Sequence, residues 1–150
     1  MNFKDCARLL AEHDNILLLT HKNPDGDTMS SAAALCSALR RTGKTAWLYP
    51  NRAVIKNLRP YVEEFFAPEG FEGEYTVAVD AATDSMFAEG FTGKADLCVD
   101  HHPTNSHYAA RELIRDDRSS CGEIVLDLIK AMCGSPSKQE ATLLYIAVTT

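Results

Sequence analysis

Acidic residues and histidines follow three short apolar runs of this sequence. Side chains of these two types carry protons and bind divalent cations. If the three groups met in space, four carboxylates and three imidazoles would repel one another strongly unless cations were bound among them. The groups are His21, Asp25 and Asp27 after the first run, Asp80 after the second, and Asp100, His101 and His102 after the third.

These residue types favour a divalent transition metal over calcium. The set contains no thiolate and mixes imidazole with carboxylate, a combination that suits Mn²⁺, Fe²⁺, Co²⁺ or Zn²⁺. Two such ions about 3.5–4 Å apart can share one bridging carboxylate and hold a hydroxide for attack on phosphorus. They would also supply positive charge that the composition lacks, since 21 Asp and Glu outnumber 15 Lys and Arg and give a net charge of −6. The same balance argues against duplex nucleic acid as a partner.

The pattern of apolar runs predicts an α/β fold, with a mostly parallel β-sheet and helices on both faces. Ligands bind beyond the carboxyl ends of the strands in such sheets, so the three polar groups are predicted to converge there. Asp27 is placed to cap the second helix, and Gly43 is placed to end it. We predict strands at 16–20, 44–49, 75–79, 95–99 and, at the edge, 108–114, and helices at 3–13, 28–41, 54–66, 121–132 and 137–149, the last of which could become a strand near its end.

Length and composition indicate a single globular domain. The chain has 150 residues, of which 45% are hydrophobic and 24% are charged, close to globular averages. No apolar run is long enough for a membrane helix, and the N-terminus lacks the features of a signal peptide, so we expect a cytoplasmic protein without a membrane partner. The five cysteines are widely spaced, and each is expected to be a free thiol.

Three motifs resemble the DHH phosphoesterase superfamily. They are the run His21-x-Asn23-Pro24-Asp25-Gly26-Asp27, the strand-ending Asp80, and Asp100-His101-His102-Pro103. The first motif and the stretch at 119–125 are most similar to the branch of oligoribonucleases that also dephosphorylate adenosine bisphosphate. RecJ-like exonucleases, cyclic-dinucleotide phosphodiesterases and family II inorganic pyrophosphatases belong to the same superfamily.

The resemblance implies a ligand set for two divalent ions, for which Mn²⁺ is the expected metal. His21 and Asp25 would bind one ion. Asp27 and His101 would bind the other, and Asp80 would bridge the two. A water held by the metal ions would then be the nucleophile.

The resemblance also implies two catalytic side chains and a substrate class. His102 would contact the substrate phosphate, and Asp100 would orient it by hydrogen bonding. The implied reaction is hydrolysis of phosphodiester or phosphomonoester bonds in short single-stranded oligonucleotides or nucleoside 3′,5′-bisphosphate. A cyclic-dinucleotide phosphodiesterase or inorganic pyrophosphatase stays an alternative, as does a non-catalytic metal- or nucleotide-binding module, and a homodimer is left open.

The chain departs from the family pattern at its end. A fourth motif of the family supplies another metal-binding Asp in a Thr-Asp-x-Gly context, whereas the apolar segment 143–148 leads here to Thr149 and Thr150. A smaller C-terminal substrate-binding domain also has no counterpart. We therefore expect residues 1–150 to form a DHH-type catalytic domain truncated before the fourth motif, with a weakened second metal site and little turnover by itself.

A local structural role is the alternative for one further group of residues. Ser119, Ser120 and Cys121 precede a predicted helix. We expect them to cap that helix, since Ser is a favoured N-cap residue. Contact with a substrate phosphate through the helix N-terminus is the competing interpretation.

Overall fold

The structure is a computed structural model that describes every residue from 1 to 150. Five parallel strands form one sheet in the order β2-β1-β3-β4-β5. This confirms the predicted α/β class and places the last strand at an edge. The strands are β1 (Ile16–Leu19), β2 (Ala46–Leu48), β3 (Tyr75–Val79), β4 (Leu97–Asp100) and β5 (Arg111–Ile114), and the helices are α1 (Phe3–Ala11), α2 (Gly26–Arg41), α3 (Arg59–Val62), α4 (Cys121–Cys133) and α5 (Lys138–Thr149).

The strand order creates one point at which the chain changes direction across the sheet. The chain passes from β1 outward to β2, then returns across β1 to pair β3 with it, and continues to β4 and β5. In doubly wound sheets of this order the ligand crevice opens between β1 and β3, outside their carboxyl ends. His21 and Asp80 follow those two strands, so the topology places both residues at the crevice.

The two faces of the sheet are covered differently. Successive strand residues point to opposite faces, so Ile16 and Leu18 pack into the main core with the long helices. Leu17 and Leu19 face a smaller apolar cluster that includes Phe87. Loops and a single 3₁₀ turn at Asp84–Met86 cover this second face in place of long helices. The long helices therefore lie on one side, where α2 packs against both α4 and α5, whereas the sequence predicted helices on both faces.

The segment predicted as a helix at 54–66 is mostly irregular. Only the single turn of α3 is α-helical, and a 3₁₀ turn at Glu63–Phe65 follows it. Pro60 lies at the start of α3, where a missing N–H is tolerated, but its ring restricts the residue before it and hinders a helix that extends further upstream. Val54 and Leu58 nevertheless reach the core, so turns satisfy the apolar spacing that predicted a helix.

The ends of the other helices lie within two residues of the predicted ends, but one predicted cap differs. The predicted N-cap of α2, Asp27, is wrong, because the side chain of Asp25 accepts a hydrogen bond from the Thr28 N–H at 2.9 Å and Asp27 lies inside the first turn. Gly43 follows the end of α2 with a φ of 91°, as a helix terminator should. Ser120 caps α4, and α5 stays helical to Thr149.

A buried carboxylate joins α5 to α2. The side chain of Glu140 is fully buried and accepts hydrogen bonds from Ser37 Oγ at 2.8 Å and from Arg41 Nε and Nη2 at 2.9 and 2.7 Å. Ser137 and Glu140 also form a capping box at the start of α5. At the other end of α5, a side chain at Gly26 would overlap that of Thr150. These contacts bring the end of α5 to the beginning of α2.

Two expectations from composition can be compared directly with the structure. All five cysteines are free thiols, and four of them are buried. None of the helices combines the length and the apolar character that crossing a bilayer requires.

Candidate metal centre

Asp80 occupies the centre of the crevice because of an unusual backbone conformation. Its φ is 63°, in the left-handed region that Asp and Asn tolerate better than most residues. Its backbone N–H donates to the Val99 carbonyl at 2.9 Å, which ties the end of β3 to β4. The residue is only 5% exposed. The turn therefore directs a carboxylate into the protein rather than toward solvent.

The Asp80 carboxylate meets two imidazoles. Its Oδ1 lies 3.2 Å from His101 Nε2 and 3.8 Å from His102 Nδ1, and the three residues can each offer a ligand atom within 4.8 Å of the others. The Oδ1 atom is buried and has no partner in hydrogen-bond geometry. An orphaned buried acceptor is costly, so this oxygen fits a divalent cation, and the oxygen and nitrogen donors around it fit a transition metal.

Burial and neighbouring acids make the ionised form of Asp80 unfavourable without a cation. Desolvation is the largest cause that raises its pKa to about 6, and the charges of Asp27 and Asp25 add to it, while His101 opposes the shift. A bound cation would reverse this balance, since it favours the ionised carboxylate.

His101 is oriented as a metal ligand would be. Its Nδ1 lies 3.2 Å from the Arg118 carbonyl, which can only accept a hydrogen bond, so the proton belongs on Nδ1. Its Nε2 then faces Asp80 and also lies 3.7 Å from Asp27 Oδ2. The contact with the Asp80 carboxylate is the largest cause that raises the pKa of His101 to about 9. Cation binding at Nε2 must therefore displace a proton.

Asp27 joins the start of α2 to the start of α4. Its two carboxylate oxygens accept from the backbone N–H groups of Cys121 at 2.9 Å and Gly122 at 3.0 Å, and Ser31 Oγ donates to Oδ1 at 3.1 Å. Burial raises the pKa of Asp27 in spite of these hydrogen bonds. The N-terminus of α4 is thus occupied by a protein carboxylate, which weakens the interpretation of residues 119–121 as a phosphate contact.

His21 and Asp25 lie on the same loop but outside the cluster. Asp25 is exposed, and its Oδ1 caps α2. His21 Nδ1 accepts a hydrogen bond from the Asn23 N–H at 3.0 Å, so the neutral ring carries its proton on Nε2. His21 would have to change tautomer or release Asn23 to bind a cation. The structure thus brings Asp80, His101, His102 and Asp27 into contact. His21 and Asp25 are not in the group whose ligand atoms lie within 4.8 Å of one another, although the charge of Asp25 is near enough to raise the pKa of Asp80.

His102 is held by a buried chain of polar groups. Its Nδ1 lies 2.7 Å from Asp100 Oδ1. Asp100 is fully buried, and its other oxygen accepts from Asn105 Nδ2 at 2.8 Å. With Nδ1 engaged, His102 Nε2 is free, and the side chain is 39% exposed.

Three positioning residues were not identified from the sequence: Thr28, Asn51 and Asn105. The Thr28 hydroxyl donates to the Val79 carbonyl at 2.9 Å and accepts from the His21 N–H at 3.2 Å, which links the ends of β1 and β3. Asn51 Nδ2 donates to Thr20 Oγ1 at 3.0 Å and to the His21 carbonyl at 2.9 Å. Asn105 follows the third motif closely, but no spacing rule distinguishes it from an ordinary loop residue.

Two curated relatives are similar to nearly the whole chain. The bifunctional oligoribonuclease and PAP phosphatase NrnA of Thermus thermophilus is 28% identical over an alignment of 148 positions, which covers 95% of this chain and 44% of that protein. A probable bifunctional oligoribonuclease and PAP phosphatase NrnA of Streptococcus mutans is 24% identical over an alignment of 154 positions, which covers 97% of this chain and 48% of that protein. The chain therefore spans just under half the length of these relatives.

Solved structures share the fold. An exopolyphosphatase-related protein from Bacteroides fragilis superimposes with a TM-score of 0.79 at 21% identity, over 98% of this chain and 48% of that one. The exonuclease RecJ bound to manganese gives a TM-score of 0.57 at 14% identity, over 99% and 48%. Residues 15–148 match the DHH family, N-terminal domain. With that match covering most of its length, the chain belongs to the DHH family.

Proposed function

We propose that this chain is the metal-binding part of a hydrolase that cleaves phosphate esters in short oligonucleotides or nucleoside 3′,5′-bisphosphate. The observation that carries the proposal is the buried, unpartnered Oδ1 of Asp80, which faces His101 and His102. The relatives named as oligoribonuclease and PAP phosphatase support this substrate class. Because the chain spans less than half the length of these relatives, the activity is proposed for a longer protein in which the chain continues beyond Thr150. Thr150 itself lies beside Gly26, at the beginning of α2.

The proposed ligand set follows the motif residues. His21 and Asp25 would hold one divalent ion, Asp27 and His101 the other, and Asp80 both. Mn²⁺ is the proposed metal, supported by the donor types and by the manganese in the RecJ structure. When bound, the ions supply positive charge for the phosphoryl oxygens and lower the pKa of the attacking water.

The remaining residues of the site position the substrate and the ligands. The proposed role of His102 is to meet a phosphate oxygen through Nε2, because Nδ1 is held by Asp100. Asn105 fixes the second oxygen of Asp100, so this carboxylate cannot rotate away. Asp27 is likewise held by the N-terminus of α4, so the positions of Asp100 and Asp27 are set before substrate arrives.

Substrate profiling tests the reaction class. The protein extended beyond Thr150 would be incubated with a 5′-phosphorylated dinucleotide, a nucleoside 3′,5′-bisphosphate, a cyclic dinucleotide and pyrophosphate, each with Mn²⁺ and with EDTA. We expect Mn²⁺-dependent release of mononucleotide or inorganic phosphate from the first two. Faster turnover of the cyclic dinucleotide or pyrophosphate would favour those alternatives. Bound Mn²⁺ with no turnover of any compound, in a protein that includes the continuing chain, would favour a non-catalytic module.

Replacing Asp100 by Asn should lower kcat by about 10- to 100-fold, the usual effect of removing a hydrogen-bonding partner behind a functional His. The affinity for Mn²⁺ should change little, since the hydrogen bonds of Asp100 are to His102 and Asn105 and not to Asp80 or Asp27. Steady-state kinetics and calorimetric Mn²⁺ titration measure the two effects. Asp116→Asn, at an exposed position, is the matched control. An equal loss of Mn²⁺ affinity in Asp100→Asn would contradict the assigned role.

A further inference from the structure

A cleft of about 1010 Å³ opens beside the loop that carries the first motif. Leu17 lies in its lining, with the polar residues Lys22 and Asn23 and the aromatic residues Tyr49 and Phe71 around it. We propose that this cleft holds the nucleoside part of the substrate, with the base stacked on Tyr49 or Phe71. The proposal rests on the proposed function, because it assumes that a phosphate of the same molecule lies at the metal centre.

One wall of the cleft is formed by the two residues that follow His21, one of the proposed metal ligands. Lys22 and Asn23 line the cleft, and the Asn23 N–H donates to Nδ1 of the adjacent His21. The wall is held in place, because the Lys22 N–H donates to the Met86 carbonyl at 2.6 Å and Asn51 donates to the His21 carbonyl. A ligand whose phosphate lies near His21 could therefore extend directly into the cleft.

The charge of the lining favours an uncharged group. Lys22 and Arg52 contribute two positive charges, and Glu69 and Glu89 contribute two negative charges. A cleft built for a chain of phosphates would need an excess of positive charge. A base and its sugar are neutral, and their hydroxyl and ring groups can hydrogen-bond to carboxylates and to the Asn23 amide.

The aromatic residues form a platform that exists before a ligand binds. The ring of Tyr49 packs edge to face against Phe91 with 5.5 Å between centroids, and Phe91 packs in the same way on Phe87 at 5.8 Å. Tyr49 and Phe71 are half-buried, so part of each ring remains available. Aromatic side chains stack on every base, which predicts recognition of nucleosides as a class. The volume also suits a ligand of this size.

A second groove, of about 600 Å³, does not compete for this role. It is lined by Leu39 and Thr42 at the far end of α2, whereas the metal centre lies at the beginning of that helix. The helix has 16 residues, which span about 24 Å at 1.5 Å per residue. A mononucleotide with its phosphate at the metal centre cannot reach the second groove.

Calorimetric titration of the Mn²⁺-loaded protein with AMP and with ribose 5-phosphate tests the proposal, because the two ligands differ only in the base. We expect AMP to bind more tightly than ribose 5-phosphate. Tyr49→Ala and Phe71→Ala should weaken AMP binding, with a loss of about tenfold or more in at least one of them. Neither should change ribose 5-phosphate binding. Tyr61→Ala is the matched control, since Tyr61 is 49% exposed and outside the cleft.

The outcomes separate this proposal from the proposed function. Equal affinities for AMP and ribose 5-phosphate in the unmodified protein would overturn the cleft proposal. Normal AMP binding in both variants, or an equal loss of affinity for AMP and for ribose 5-phosphate, would also overturn it. In each of these cases Mn²⁺ and phosphate binding would still support the metal centre. Failure of the protein to bind Mn²⁺ at all would instead overturn the proposed function. Phe71→Ala covers the case in which Tyr49→Ala disturbs the packing of Phe91.

Discussion

Replacement of Asp80 by Asn is expected to weaken Mn²⁺ binding by more than about 100-fold, beyond the range seen for residues that only orient a ligand. Asn has nearly the same shape and also tolerates the left-handed backbone at this position, so the change removes charge and one acceptor oxygen with little strain. The carboxylate that is replaced includes the buried Oδ1 that faces His101 and His102. Mn²⁺-dependent hydrolysis by the extended protein should be nearly abolished.

Thermal unfolding measures this effect without an activity assay. A ligand present at 100 times its Kd stabilises the folded state by about 2.7 kcal/mol. For a domain of this size that corresponds to a rise in Tm of roughly 5–10 °C. We expect the rise with Mn²⁺ in the unmodified protein, its reversal by EDTA, and its absence in Asp80→Asn.

Two comparisons make the Asp80 result specific. Asp84→Asn changes an exposed acid of the neighbouring loop and should keep the full Mn²⁺ response. Without metal, Asp80→Asn should remain folded, because it removes a buried charge that Asp27 and Asp25 disfavour. The same Mn²⁺-induced rise in Tm in Asp80→Asn and in the unmodified protein would place the cation elsewhere.

The position of the candidate site could be predicted from the sequence because it depends on a general property of parallel sheets. Three apolar runs are short enough to be strands and end directly in acids or histidines. A parallel arrangement brings the carboxyl ends of its strands to one edge. In the structure Asp80 and His101 lie 3.2 Å apart although they belong to different loops. Residue type and the parallel arrangement of the strands were sufficient for this inference.

The partners of Asp27 could not be predicted in the same way. Asp25 and Asp27 are two residues apart, and either could cap a helix by its type alone. Which of the two caps α2 depends on α4, because the N–H groups of Cys121 and Gly122 donate hydrogen bonds to the Asp27 carboxylate. That contact spans more than 90 residues of chain, and no local pattern contains it. The same reason explains why Thr28, which links His21 to Val79, was missed.

Helix N-termini help to explain how several carboxylates can lie close together in this crevice. Asp25 caps α2, and Asp27 accepts from the first N–H groups of α4. Each helix N-terminus carries a partial positive charge that favours an acid. Asp80 has no such support, and burial raises its pKa to about 6. Asp80, the carboxylate that the protein itself stabilises least, is therefore the one that most needs a bound cation.

Replacement of Glu140 by Gln is expected to destabilise the protein at pH 7 by about 2–3 kcal/mol. Hydrogen bonds to charged groups contribute about 1.5–3 kcal/mol, and breaking a fully buried pair would cost more. The lower range applies because the Arg41 side chain is 36% exposed and keeps part of its hydration. The loss should come from the junction of α2 and α5, and chemical denaturation at pH 7 would measure it.

The pH dependence distinguishes the charge of Glu140 from its packing. Burial tends to raise the pKa of Glu140, but hydrogen bonds from Arg41, Ser37 and Ser137 outweigh it and hold the pKa below its usual value. A lowered pKa contributes stability that is present above the unfolded-state value, near 4.5, and is lost as pH falls through the folded-state value. The stability difference between the unmodified protein and Glu140→Gln should therefore shrink below that pH. Glu72→Gln, at an exposed position, should show little difference at any pH. A difference for Glu140→Gln that stays constant into acid would mean that shape, not charge, holds the two helices together.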